Sequence, residues 1–208
     1  MIQPFVASFT GTAVEFFETA AIAYAIARAG YPREALSALV AGHALVFLLA
    51  VFLFPLQGAI PIFWMRLVAA VLLTSMGLHW SLKSLRRLQT DQRPRWVEDP
   101  LGKVNVIPSA SATAAFSLAV FFVMVKSSVV EACEILLVVF PVAAASAAWS
   151  QVLWGMGAGI FTVSVVMLAL HGQLKKIPEV KLKLGIGLVL SALGLSWLFE
   201  LYGDYGPD

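Results

Sequence analysis

Apolar residues fill six long stretches of this chain, and polar residues collect in the intervals between them. The stretches cover about residues 5–29, 34–54, 62–84, 109–142, 147–170 and 180–201. About 20 apolar residues carry an α-helix across the roughly 30 Å hydrocarbon core of a bilayer. Each stretch therefore predicts one membrane-spanning helix. The fourth is longer than a straight crossing needs, so its first part, residues 109–119, is expected to lie along the interface or beyond it. Gly30-Tyr31-Pro32 stops the first helix, with Pro32 placed to open the second, and residues 55–61 form a short turn. Residues 88–108 are a polar linker near the midpoint, rich in Asp, Arg, Pro and Glu.

The pattern repeats. A shift of 116 residues lays Glu15 and Glu18 on Glu131 and Glu134. A shift of 117 lays Thr74-Ser75-Met76-Gly77-Leu78-His79-Trp80 on Ser191-Ala192-Leu193-Gly194-Leu195-Ser196-Trp197, Pro61 on Pro178 and Arg66 on Lys183. Repeat 1 covers about residues 4–87 and repeat 2 about 109–202, within one transmembrane domain of residues 1–208. Three spans are an odd number, so the second copy enters from the opposite side. The expected architecture is an all-α membrane protein of six transmembrane helices arranged as two inverted three-helix repeats.

Charge orients it. Arg28 and Arg33 fall between spans one and two. Lys83, Arg86, Arg87, Arg93, Arg95 and Lys103 fall between three and four, and Lys175, Lys176, Lys181 and Lys183 between five and six. These intervals share one side and hold twelve of the fourteen basic residues. The positive-inside rule makes that side cytoplasmic and puts both termini outside. The expected location is a plasma (bacterial inner) membrane, crossed several times. Met1 onward carries neither a basic n-region nor a small-residue cleavage site, so no leader is expected to be removed.

Composition agrees: 60% hydrophobic and 12% charged residues with mean hydropathy +0.88 exclude a soluble domain. A net charge of +2 gives no reason to expect a nucleic-acid partner, and a single cysteine, Cys133, excludes an intrachain disulfide framework.

The candidate chemistry lies where the membrane is most hostile to it. Four of the twelve acidic residues, Glu15, Glu18, Glu131 and Glu134, stand in mid-span. Each pair is spaced i, i+3, which puts both carboxylates on one helix face about a turn apart. A carboxylate in hydrocarbon costs several kcal/mol unless compensated, so it marks function by default. Crossing of the two repeats would bring helices one and four together and converge the four carboxylates near mid-bilayer. They would then share protons or hold a cation, and hard oxygen ligands suit iron, manganese, calcium or magnesium. His43, Thr12 and Ser127 are additional candidate ligands, and Thr10 and Ser128 could add hydroxyls; a helix–helix hydrogen bond is the plainer role for His43, and close packing for the small residues. Lys126 is expected to snorkel toward the cytoplasmic interface, although pairing of the glutamates with Lys126 or Arg66 is the alternative that would make them structural. Cys133 is turned off the acidic face and reads as packing, as do Gly42, Gly155, Gly157 and Gly159. Trp64, Trp80, Trp149 and Trp197 fit interfacial belts.

At these motifs the chain resembles the oxidase-dependent iron permease family, whose members carry a basic residue followed by Glu-x-x-Glu in helices one and four of a duplicated membrane domain. The matching residues are Glu15 and Glu18, then Glu131 and Glu134, with Val14 and Val130 where the family has arginine. The resemblance implies a metal-cation transporter, not an enzyme, that binds iron or a similar divalent or trivalent cation between the Glu-x-x-Glu pairs with alternating access. It implies no permanently bound cofactor: the metal (Fe, Mn or Ca) is cargo, membrane lipid is the other partner, and homo-oligomer formation stays open. The alternatives are a proton-coupled calcium/manganese exchanger, a family with a similar six-span plan but with Gly-Asp after its glutamate, an intramembrane lipid-phosphate phosphatase, and a small-solute exporter.

Overall fold

A computed structural model describes residues 2–92, 101–102, 116–169 and 178–205. Six long helices account for nearly all of them: α1 (Gln3–Arg28), α2 (Pro32–Leu53), α3 (Ile62–Gln89), α4 (Leu118–Ser146), α5 (Trp149–Ala169) and α6 (Glu179–Tyr205). No strand occurs among the described residues. Local chemistry sets the ends. Gly30 takes φ 103°, which lets Tyr31 N–H reach back to the Ile26 carbonyl at 3.2 Å and close α1, and Pro32 opens α2. The expected turn after α2 is a 3-10 helix, Phe54–Ala59. At the start of α4 the Ser117 N–H donates to Glu34 Oε1 of α2 at 2.7 Å, so a carboxylate caps the positive end of the helix.

Five helices, α2 to α6, are long and apolar enough to cross a membrane, which marks a multi-pass integral membrane protein. The exception is α1, where Ser8, Thr10, Thr12, Glu15, Glu18 and Thr19 dilute the apolar residues. Its buried positions other than Ala21 (Pro4, Ala7, Ser8, Gly11, Thr12, Glu15, Phe16, Thr19, Ile22, Ala23 and Ile26) form a stripe at helical spacing. This stripe lies against protein, so its polar groups never meet lipid. By contrast, α2 and α5 turn large apolar side chains outward, among them Leu36, Phe47, Phe52, Trp154, Phe161 and Leu168. A surface of that kind fits hydrocarbon rather than water.

Three pairings organise the bundle: α1 packs lengthwise on α5, α2 on α4, and α3 on α6, while α1 and α4 meet at the centre. Burying apolar area against lipid-like neighbours gains little in a bilayer, so close packing of small residues does the joining. A Cβ added to Gly77 of α3 would fall 2.5 Å from the Ser191 nitrogen of α6, and one added to Gly194 of α6 would fall 2.6 Å from the Thr74 nitrogen of α3. Gly155 of α5 sits as tightly on the Phe5 carbonyl of α1, Gly159 somewhat less tightly on that of Phe9, and Gly42 of α2 abuts Ser128 of α4. Gly157 faces open space and is no packing position.

Several sequence expectations shift. The linker is shorter than 88–108 at its start, because α3 continues to Gln89; residues 93–100 and 103–115, including most of the segment expected at the interface, lie outside the described residues. So do His171, Lys175 and Lys176. Lys181 and Lys183 are not loop residues: α6 begins at Glu179, directly after Pro178. Trp80 and Trp197 are core residues rather than belt residues, since both lie on the buried stripes of α3 and α6. Trp64 is exposed as a belt residue would be.

Candidate functional site

Two apolar clusters divide the interior. Ile22, Ile26, Ala35, Ala38, Val120 and Met124 form one; Leu73, Ile135, Val138, Val142 and their neighbours form the other. Along α4 the buried residues between them are Ser128, Glu131 and Ala132, the first two of them polar. On α1 the matching stretch is Thr12, Glu15 and Thr19. The polar groups are therefore sealed above and below by hydrocarbon side chains.

In this gap one carboxylate oxygen from each of Glu15, Glu18 and Glu131 lies within 4.8 Å of the others. Glu15 is 1% and Glu131 5% exposed, and the Glu18 side chain 12%. The i, i+3 spacing places Glu15 and Glu18 on one face of α1, and the crossing of α4 supplies Glu131. Glu134 is outside this tight group; it is half-buried and interacts electrostatically with Glu131 and Glu18. Three of the four predicted carboxylates thus come together, and the fourth stands beside them.

The positive charge comes from an unexpected place. Lys183 of α6 puts its Nζ 3.2 Å from Glu15 Oε1 and 3.4 Å from Glu18 Oε2, and 5.0 Å from the centre of the Trp80 ring. Neither sequence-level partner fills that role: Lys126 points to the exposed surface of α4, and Arg66 pairs with Asp204 at 3.5 Å, with both side chains largely exposed. One ammonium among three close carboxylates leaves negative charge in excess, which a cation or bound protons must offset.

Further polar atoms wait around the cluster. Thr12 Oγ1 and Ser128 Oγ are fully buried and have no hydrogen-bond partner among the described residues. Each precedes its first glutamate by three residues, so both sit on the acidic faces one turn away. His43 Nδ1–H donates to the Leu39 carbonyl at 2.9 Å. That bond fixes the tautomer and leaves Nε2 as an acceptor, buried and likewise unpartnered. The ring stands edge-on to Phe16 at 5.4 Å and within electrostatic reach of Glu131, outside the tight carboxylate group. Ser127 is half-buried, off the face that Ser128 occupies, and Thr10 is satisfied by the Val6 and Ala7 carbonyls at 2.7 and 3.2 Å. Cys133 is half-buried and free.

Sequence reasoning missed Lys183 because basic residues near a loop were counted with the loop. The signal was there: positions 183, 187, 190, 194, 197 and 201 recur at helical spacing, and all but the first are small or apolar. It also chose Ser127 over Ser128, although the 116-residue shift that pairs the glutamates lays Thr12 on Ser128. Compared with known protein families, characterised proteins and solved structures, the chain matches none.

Proposed function

We propose that this chain is an integral membrane metal-cation transporter whose cargo binds between the Glu-x-x-Glu pairs of α1 and α4. One observation carries the reading: buried oxygens of Glu15, Glu18 and Glu131, from two different helices, within 4.8 Å of one another. Oxygen ligands at metal distances of about 2.0–2.6 Å can share one ion only if they lie that close. The unpartnered hydroxyls of Thr12 and Ser128 add neutral oxygen donors on the same faces. Such a donor set suits a hard cation such as Fe, Mn or Ca, and the resemblance to the iron permeases, which rests on the two motifs, points the same way.

Six crossings as two inverted repeats explain how such a site would serve both sides. The contacts support the repeat: α1 on α5 corresponds to α4 on α2, and Gly77 against Ser191 corresponds to Gly194 against Thr74 in the 117-residue register. Gln3 and Pro4 of α1, Arg66 of α3, Ser146 of α4 and Glu200 of α6 line one cavity, which fits both described ends on the side opposite the basic segments. With that side outside, the repeats rock about α1 and α4 and expose the carboxylates to each face in turn. A phosphatase reading has less support, because the described site offers an anionic phosphate three carboxylates and one ammonium.

The test is flux through the purified protein in vesicles, with Mn2+, Fe2+ and Ca2+ offered separately. Glu15→Gln and Glu131→Gln each keep the side-chain size and remove the charge, and each abolishes uptake. Wild-type flux in both variants ends the proposal.

A further inference from the structure

Lys183 does more than balance charge. Its ammonium contacts two of the three carboxylates that the cargo would need, at Glu15 Oε1 (3.2 Å) and Glu18 Oε2 (3.4 Å). A metal ion held by those oxygens would stand nearly in van der Waals contact with the ammonium, and two cations that close in a low-dielectric site repel strongly. They cannot both occupy the cluster.

The surroundings make the lysine movable. Lysine is a compact cation on a flexible four-carbon stem, unlike the rigid fork of arginine. The side chain is 20% exposed, so a way out exists. The Trp80 face, 5.0 Å from Nζ in the same conformation that contacts the carboxylates, is a cation–π partner the ammonium keeps when it swings away from them. The other half has no matching arrangement: Arg66, at the equivalent position, turns to Asp204 at the far end of the bundle. The device is one-sided, as a gate serving a single cluster would be.

We propose that Lys183 is a tethered competitor for the metal: its ammonium holds the cluster when cargo is absent and is expelled when cargo binds. This rests on the cation-site reading above. It assigns the lysine a purpose, since a cluster partly balanced between cargoes pushes its two helices apart less than bare carboxylates would. A carrier must let go as well as bind, and a competitor bound to the protein itself speeds release.

The experiment uses the purified full chain and Mn2+ as probe. Lys183→Met keeps the stem and removes the charge; Mn2+ then binds about tenfold tighter or more, while vesicle flux falls because release slows. Lys181→Met, an exposed lysine on the same helix, changes neither. A second measurement needs no variant: an amine-reactive reagent followed by peptide mass spectrometry shows Lys183 labelling rising when Mn2+ is added to the wild type. Wild type that binds Mn2+, with Lys183→Met no tighter or Lys183 labelling unchanged, overturns the competitor and leaves the site standing. If wild type and Lys183→Met both fail to bind Mn2+, Fe2+ and Ca2+, the competitor and the metal site fall together.

Discussion

Exchanging Gly77 for alanine tests how α3 and α6 are joined. The new Cβ would lie 2.5 Å from the Ser191 nitrogen and hydroxyl and 2.6 Å from the Gly187 carbonyl oxygen. Ordinary carbon contacts sit at roughly 3.5–4.0 Å, so the helices must part by about 1 Å. Two of the three atoms struck are backbone and cannot rotate aside. Overpacking costs about 1–3 kcal/mol, and this geometry belongs at the upper end, near 3. Alanine recovers about 1 kcal/mol of helix propensity over glycine. The net expectation is destabilisation by about 2 kcal/mol, obtained from the difference of those two figures. Gly194→Ala, which meets the Thr74 nitrogen at 2.6 Å and the Ala70 carbonyl at 2.8 Å, is the counterpart and carries a similar cost. Gly157→Ala and Gly185→Ala meet nothing within 4 Å and gain up to about 1 kcal/mol. Reversible unfolding in micelles, titrated with dodecyl sulfate and followed by helical circular dichroism, reads all four. Gly77→Ala at or above wild-type stability refutes the packing argument; Gly77 and Gly194 variants of opposite sign refute the equivalence of the halves.

Other outcomes follow from single contacts. Thr12→Val and Ser128→Ala remove buried hydroxyls that have no partner among the described residues, so unfolding titration finds each variant about 1–3 kcal/mol more stable or unchanged, whereas calorimetry finds weaker Mn2+ binding; Ser127→Ala, off that face, leaves binding alone. Glu34→Ala strips the carboxylate that accepts the Ser117 N–H at 2.7 Å and lowers stability in the same assay by about 1–2 kcal/mol. Arg66→Ala breaks an exposed pair with Asp204 and costs no more than about 1 kcal/mol, in contrast to the buried ion pair of its counterpart Lys183.

Helices were legible where apolar length alone decides. The limits of α2 and α5 fall within two residues of their apolar stretches at all four ends; Pro32 opens α2, whereas the break before α5 rests on Ala147 in the left-handed region at φ 52°, which an alanine-rich sequence does not announce. α3 runs beyond its stretch, since Arg86 and Arg87 extend a helix about as readily as leucine does once it leaves the hydrocarbon, and α6 runs on to Tyr205. The glutamates were legible because ionisable groups in mid-span have few innocent explanations. Periodicity puts Lys183 on the packed stripe of α6, but which helix that stripe meets depends on how the helices cross, and the sequence of one helix does not supply that. Trp80 was misplaced for the same reason: an aromatic near a helix end looks interfacial until a neighbouring helix covers it.

The polarity of α1 bears on how the protein is made. This helix leaves the ribosome before the five that follow it, yet it is the one least able to remain in lipid by itself. The face holding Ser8, Thr12 and Glu15 is covered by α5 and α4, which follow only after the midpoint of the chain. Until they arrive, a carboxylate-bearing segment must wait at the translocon, at the membrane surface, or under a chaperone. Insertion and assembly are thus a single event for α1, and a chain truncated before Trp149 should leave residues of its first helix open to a membrane-impermeant reagent or protease while α2 and α3 stay protected.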